Sequence, residues 1–243
     1  MSFAILKAGR ATRATRERIG DLDKTFTNLL ETPGQQWVCY DVENGVLPAR
    51  VEDHAGYVIT GSPASVYDDK DWVRALLEFT AGIHRQGLPL LGICFGLQVV
   101  AQALGGEVAP NPKGWELGVV EVGLTPAGRA FPALAGAPAP LRILESHQDI
   151  AIRLPEGAEV LAGSTHTPVE IFTLGDRTLC LQGHPEMDNA MVQDIIERRM
   201  ERGILPEAAA RAGLASLAQM PHREFLADWL RGFFIHGGNR AAV

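Results

Sequence analysis

Residues 92–98, GICFGLQ, set a cysteine between two glycines where an apolar run meets the start of a helical pattern. A thiol so placed is a candidate nucleophile. Gly92 and Gly96 flank Cys94 at i−2 and i+2, the spacing of the G-x-S-x-G nucleophile elbow with sulfur in place of oxygen. The requirement is steric: a sharp strand-to-helix turn holds the nucleophile in a strained backbone conformation, and side chains on either flank would collide. A helix opening at Phe95 presents its dipole and free N–H groups to the sulfur, favouring a thiolate. The Phe95 N–H is then aimed at the oxyanion formed when the sulfur attacks a carbonyl.

A lone cysteine is more often a core residue, so the nucleophile reading requires a base and a group to orient it. LCLQGHPEM, residues 179–187, supplies both: an apolar strand ends at Gly183 and is followed by His184, Pro185 and Glu186. At a strand end, alternation projects His184 and Glu186 to one side, with the proline fixing the chain direction between them. Cys94, His184 and Glu186 form the candidate triad.

These residues need a scaffold. Short apolar runs bounded by Gly and Pro predict strands over 3–9, 36–42, 56–61 and 89–94. Between the last two, Trp72, Leu76, Phe79 and Ile83 recur at helical spacing and the pattern stops at Gly87. A second helix is expected from Phe95 to Gly105 and Gly106, β-rich patterning over 107–183, and helices thereafter, with REFLADWLRGFFIHG apolar enough to dock. The whole reads as α/β: a mostly parallel mixed sheet covered by helices, extended by antiparallel strands. One domain is expected over 1–243, with a core of about 1–187 and a helical extension of about 188–243.

Composition narrows the partners. The 243 residues carry a formal charge of −7 and no dense basic block, which argues against nucleic acid and anionic membranes and for a small-molecule substrate. Three cysteines without a CxxC pair give neither a disulfide framework nor a zinc site, so no metal or other cofactor is expected. No run approaches the roughly 18 apolar residues of a membrane span, and the first residues do not read as a secretory signal; a cytoplasmic location is the default expectation. Cys39 and Cys180 read as core residues, His166 and His222 lack metal-ligand spacing, and RATRATRER reads as a solvated loop.

GICFGLQ, followed 90 positions later by GHPE, resembles the class I, triad-type glutamine amidotransferases over roughly residues 55–187. The resemblance implies a flavodoxin-like fold with extra C-terminal helices. It also implies that Cys94 attacks a γ-carboxamide, His184 transfers protons, Glu186 orients His184, and a γ-glutamyl thioester is hydrolysed by water. VITGSPASVYDD is similar to the family's S-G-G-P-x-S loop, which makes Gly61 and Ser62 backbone donors to the oxyanion with Phe95; Ser62 stands where glycine is usual. Gln98 matches a glutamine that holds substrate. ESHQD resembles the S-H-x-D segment of the GMP synthase branch, which implies that Ser146, His147 and Asp149 line the pocket.

The chain shows neither a GxxxxGK[ST] loop nor an S-G-G-x-D-S loop, so its motifs give it no means of activating an acceptor with ATP. The run from GSPASVYDD to KGWELG is most similar to stand-alone members close to GMP synthase, some of which are γ-glutamyl peptidases. Three readings follow: hydrolysis of glutamine with ammonia passed to a possible synthetase partner, hydrolysis of γ-glutamyl peptides or conjugates without one, or a non-catalytic protein with a reactive thiol. Keeping both His184 and Glu186 weighs against the last, because a sensor thiol needs neither.

Overall fold

The structure is a computed structural model that describes residues 1–238; the last five residues of the expected helical extension lie outside the described residues. The chain runs β1 (Ser2–Lys7), α1 (Arg13–Ile19), α2 (Leu22–Leu30), β2 (Gln36–Asp41), β3 (Tyr57–Ile59), α3 (Asp71–Arg85), β4 (Leu90–Ile93) and α4 (Phe95–Ala103). It continues through β5 (Glu107–Pro110), β6 (Glu116–Leu124), α5 (Pro126–Ala130), β7 (Leu141–His147), β8 (Asp149–Arg153), β9 (Ala158–Gly163), β10 (Ile171–Leu174) and β11 (Thr178–Leu181). Three helices close it: α6 (Asn189–Glu201), α7 (Glu207–Ser216) and α8 (Arg223–Ile235).

The main sheet has nine strands in the order β2-β1-β3-β4-β11-β10-β9-β6-β7, and β5 pairs with β8 in a separate ribbon. From β2 through β11 neighbouring strands are parallel; from β11 through β7 they are antiparallel. Period-two alternation divides β1 between the two faces. Phe3 and Ile5 pack with α2 and α8 on one side, and Ala4 and Leu6 pack with α3 and α4 on the other. The last helix docks, as its apolar residues predict: Phe234 meets Phe3 and Trp37 at ring separations of 5.3 and 5.0 Å. Helices α6 and α7 cover Leu117, Val119 and Leu144 at the antiparallel end.

Two expectations change. Cys39 is exposed, because β2 is the edge strand and only part of it is covered. Cys180, in the interior strand β11, is buried as expected. The RATRATRER segment contributes a helix, α1, capped by Thr12, whose side chain accepts the Thr15 N–H. Charge alone had read as solvated loop; the cap and the buried Thr15 give the segment a fixed place in the fold.

Strand order explains how the separated motifs meet. β4 pairs in parallel with both β3 and β11, so the loops after all three open at one edge of the sheet. That edge, outside the carboxyl ends of parallel strands, is where open α/β sheets bind ligands.

Candidate active site

Cys94 occupies the junction of β4 and α4 with φ 54° and ψ −106°, and it is the one non-glycine residue with positive φ among the described residues. Such a conformation is strained for an L-residue and persists only where its surroundings hold it. The Cys94 N–H donates to the Leu181 carbonyl at 2.8 Å, tying the turn to the end of β11, and its carbonyl accepts from the Gln98 N–H. Both flanking glycines are sterically required. A Cβ at Gly96 would sit 2.3 Å from the Ile59 carbonyl oxygen, and one at Gly92 would sit 2.6 Å from that of Gly96.

His184 and Glu186 follow the adjacent strand β11. The His184 N–H donates to the Leu144 carbonyl at 2.7 Å, which pins the segment to β7. His184 Nδ1 lies 2.8 Å from Glu186 Oε1, with both residues buried. Burial disfavours the imidazolium, but the Glu186 carboxylate and the Cys94 sulfur, each within hydrogen-bonding reach, carry the His184 pKa well above its usual value. With Nδ1 held by Glu186, Nε2 is the nitrogen left to exchange a proton with sulfur. Arg223 braces this loop from α8, donating from Nε to the Pro185 carbonyl at 3.1 Å.

A histidine acting as a general acid works below its own pKa, so if His184 plays that part its raised pKa extends activity upward. The alkaline limb of kcat/KM is expected above the ordinary histidine value of about 6.5. Glu186→Gln removes a charge that raises it, so the limb should move to lower pH along with a loss of rate. A limb unmoved by the substitution would contradict the coupling.

Gly61, after β3, faces the pair: a Cβ there would approach His184 Cε1 at 3.0 Å and Cys94 Cβ at 3.8 Å. The Ser62 hydroxyl accepts from the Ala64 N–H at 3.1 Å, so its side chain serves the turn of its own loop. Phe95 is buried at the first position of α4.

Cys94, Gly61, Ser62, His184 and Glu186 line a cavity of about 370 Å³, and Ser146 joins them. Gln98, His147 and Asp149 are not among its lining residues. Strand alternation separates Ser146 from His147: the first opens to the cavity, the second turns into the interior with Glu145. Gln98 donates to the Asp149 backbone carbonyl at 2.9 Å. The Asp149 carboxylate accepts from Ser65 at 2.6 Å and Tyr67 at 2.9 Å, fastening the loop after β3.

Around His147 lies a cluster the sequence did not announce. Its Nε2 is 3.3 Å from carboxylate oxygens of Glu116 and Glu145, and Glu116, His147 and Glu170 bring ligand-type atoms within 4.8 Å of one another. Burial and mutual repulsion push the Glu145 and Glu170 pKa values well above the usual range. Burial opposes the charges of Glu116 and His147 too, yet their hydrogen bond lowers the first pKa and raises the second.

The opposite walls of the cavity are α1 and α6, clasped by Arg18, which donates through both terminal nitrogens to Asp188 at 2.8 Å. Asp188 also caps α6, accepting the Met191 N–H at 2.9 Å. Asp188→Ala is expected to cost about 1 kcal/mol from the lost cap and no more than about 1 kcal/mol from the exposed pair. A denaturant melt reads this directly, and an unchanged midpoint would contradict it.

A strained buried cysteine, a histidine in contact with it, and a glutamate hydrogen-bonded to that histidine thus meet at the edge of a parallel sheet. Residues 35–199 match the class-I glutamine amidotransferase family, and the chain belongs to it. It is 34% identical to γ-glutamyl peptidase 4 of Arabidopsis thaliana over 206 residues, covering 83% of this chain and 82% of that one. It is 37% identical to the glutamine-hydrolysing GMP synthase of Leifsonia xyli over 138 residues, which covers 56% of this chain but 26% of the synthase. In fold it is similar to a glutamine amidotransferase from Methylobacillus flagellatus, with a TM-score of 0.77 at 22% identity over 100% of this chain and 97% of that one.

Proposed function

We propose that the protein hydrolyses a γ-glutamyl amide through Cys94, His184 and Glu186, acting in the cytoplasm. The observation that carries this is the Cys94 elbow meeting a Glu186-held His184 at the floor of an open cavity. The Cys94 thiolate attacks the γ-carbonyl, forming an S–C bond, while backbone N–H groups of Phe95 and of Gly61 or Ser62 receive the oxyanion. His184 gives a proton to the nitrogen as the C–N bond breaks, so ammonia or an amine departs. Water, deprotonated by His184, then attacks the thioester and releases glutamate and the Cys94 sulfur. Gln98, His147 and Asp149 act by positioning the loops and strand ends that frame the substrate. Ser146 faces it.

Two substrates fit this chemistry: glutamine, with ammonia passed to a synthetase partner, or a γ-glutamyl peptide. The second is favoured by the likeness to γ-glutamyl peptidase 4 over 82% of that protein, against 26% of the synthase. The test is glutamate release from glutamine and from a γ-glutamyl dipeptide, side by side, with Cys94→Ser as the blank. Turnover of the dipeptide alone supports a self-sufficient peptidase, turnover of glutamine supports ammonia supply, and silence on both sinks the hydrolase reading.

A further inference from the structure

Six of the residues lining the cavity are arginines: Arg10, Arg13, Arg16, Arg198, Arg199 and Arg202. The chain as a whole runs the other way, with 22 Lys and Arg against 29 Asp and Glu. The one carboxylate in the lining, Glu186, is bound to His184. Arg13 pairs with Glu17 at 2.7 Å and Arg10 with Asp41 at 3.8 Å. For Arg16, Arg198, Arg199 and Arg202, no carboxylate among the described residues lies within ion-pair distance. Four guanidinium groups therefore border one cavity without a counter-charge of their own.

Their placement is not what stability asks for. A helix C-terminus favours basic residues, which accounts for arginines in the last turn of α6. It does not account for their bordering a cavity, and Arg198 and Arg202, four apart, repel one another as like charges at i, i+4. Arg199 is the innermost. It is half-buried, stacks on Trp115 with Cζ 4.9 Å from the ring centroid, and donates from Nη1 to Ser146 Oγ at 3.0 Å. Burial disfavours its charge, while the Cys94 sulfur lies near enough to favour it. A planar guanidinium held by stacking and by Nη1 alone, which donates to the hydroxyl and the carbonyl of Ser146, keeps further donors for a carboxylate. Arg16, on the facing wall, donates to the Ala11 carbonyl.

We infer that the cavity selects a γ-glutamyl compound bearing two carboxylates. Arg199 takes the α-carboxylate of the glutamyl part, and Arg16, Arg198 and Arg202 take a second carboxylate on the departing amine. The substrate class is then a γ-glutamyl peptide with a free C-terminus, and glutamine, whose leaving ammonia carries no such group, leaves Arg16, Arg198 and Arg202 without a partner. This rests on the reading of Cys94 as a γ-glutamyl hydrolase.

The test compares a γ-glutamyl dipeptide having a free C-terminal carboxylate with the same dipeptide as its C-terminal amide, using the purified full chain. Both carry the same scissile bond. One charge-assisted pair is worth about 1.5 to 3 kcal/mol, so kcat/KM should favour the free acid by about tenfold or more, expressed mainly in KM. The double variant Arg198→Gln/Arg202→Gln should bring that ratio toward one. Equal cleavage of both dipeptides by the unaltered protein overturns the anion site and leaves the hydrolase standing. A preference that survives the double variant overturns the assignment to these arginines. No glutamate from either dipeptide or from glutamine fails the underlying hydrolase reading instead.

Discussion

Cys94→Ser is expected to lower kcat/KM for glutamate release by at least about a thousandfold, with the thermal transition left in place. Oxygen for sulfur conserves the shape of the side chain and suits the same turn, so the β4–α4 junction keeps its φ of 54° and its hydrogen bond to Leu181. On the proposed mechanism the change removes the nucleophile, because a serine hydroxyl is a far weaker acid and nucleophile than a thiol. Glutamate quantified after incubation, with circular dichroism as the folding control, reads the result. Undiminished turnover would remove Cys94 from the chemistry.

The second large effect falls on the fold. Gly96→Ala places a Cβ 2.3 Å from the Ile59 carbonyl oxygen and 2.9 Å from its carbon, where α4 crosses the end of β3. Backbone meets backbone there, so no rotamer change relieves the clash and either α4 or β3 must shift. A cost of about 3 kcal/mol, the upper end for overpacking, corresponds to a fall in melting temperature of roughly 6 to 12 °C for a chain of this size. The shift would also carry Cys94 and Phe95 out of line, so activity should fall further than stability accounts for. A transition and a rate equal to those of the unaltered protein would contradict the required closeness of α4 and β3.

Much of the site was legible because its demands are local. Gly92 and Gly96 announce the tight turn at Cys94, and the clash distances at both positions give the reason in backbone atoms. GHPE puts His184 two residues before Glu186, and His184 Nδ1 does lie 2.8 Å from Glu186 Oε1. The parallel strands were legible through their apolar runs, as was α3 through its period. What escaped depends on long-range packing. Whether a residue of ESHQD faces the cavity is decided by the pleat of β7, which sends Ser146 one way and His147 the other. Cys39 sits in an apolar run like Cys180, and only the strand order makes one an edge residue and the other interior.

The arginines escaped for the same reason. Arg16 and Arg199 are 183 positions apart, and nothing in either segment's own pattern places both on one cavity. The signal present in the sequence was the repeated arginine in RATRATRER and in ERRMERG, dense in a chain of net acidic charge. Read by charge alone, each is a solvated face. The three buried acids around His147 were equally silent, since Glu116, Glu145 and Glu170 come from three separate segments.

The most direct measurement is covalent labelling with an electrophilic glutamine analogue carrying a chloromethyl ketone in place of the carboxamide, followed by mass spectrometry of the proteolysed protein. Cys39 is an internal comparison: it is exposed, yet partial cover of its sulfur and nearby carboxylates push its thiol up to about 11. One adduct per chain on the Cys94 peptide, suppressed by glutamine or a γ-glutamyl dipeptide and absent from Cys39 and Cys180, is the expected result. Labelling that favours Cys39, or that proceeds at Cys94 untouched by either competitor, would contradict a γ-glutamyl site built around Cys94.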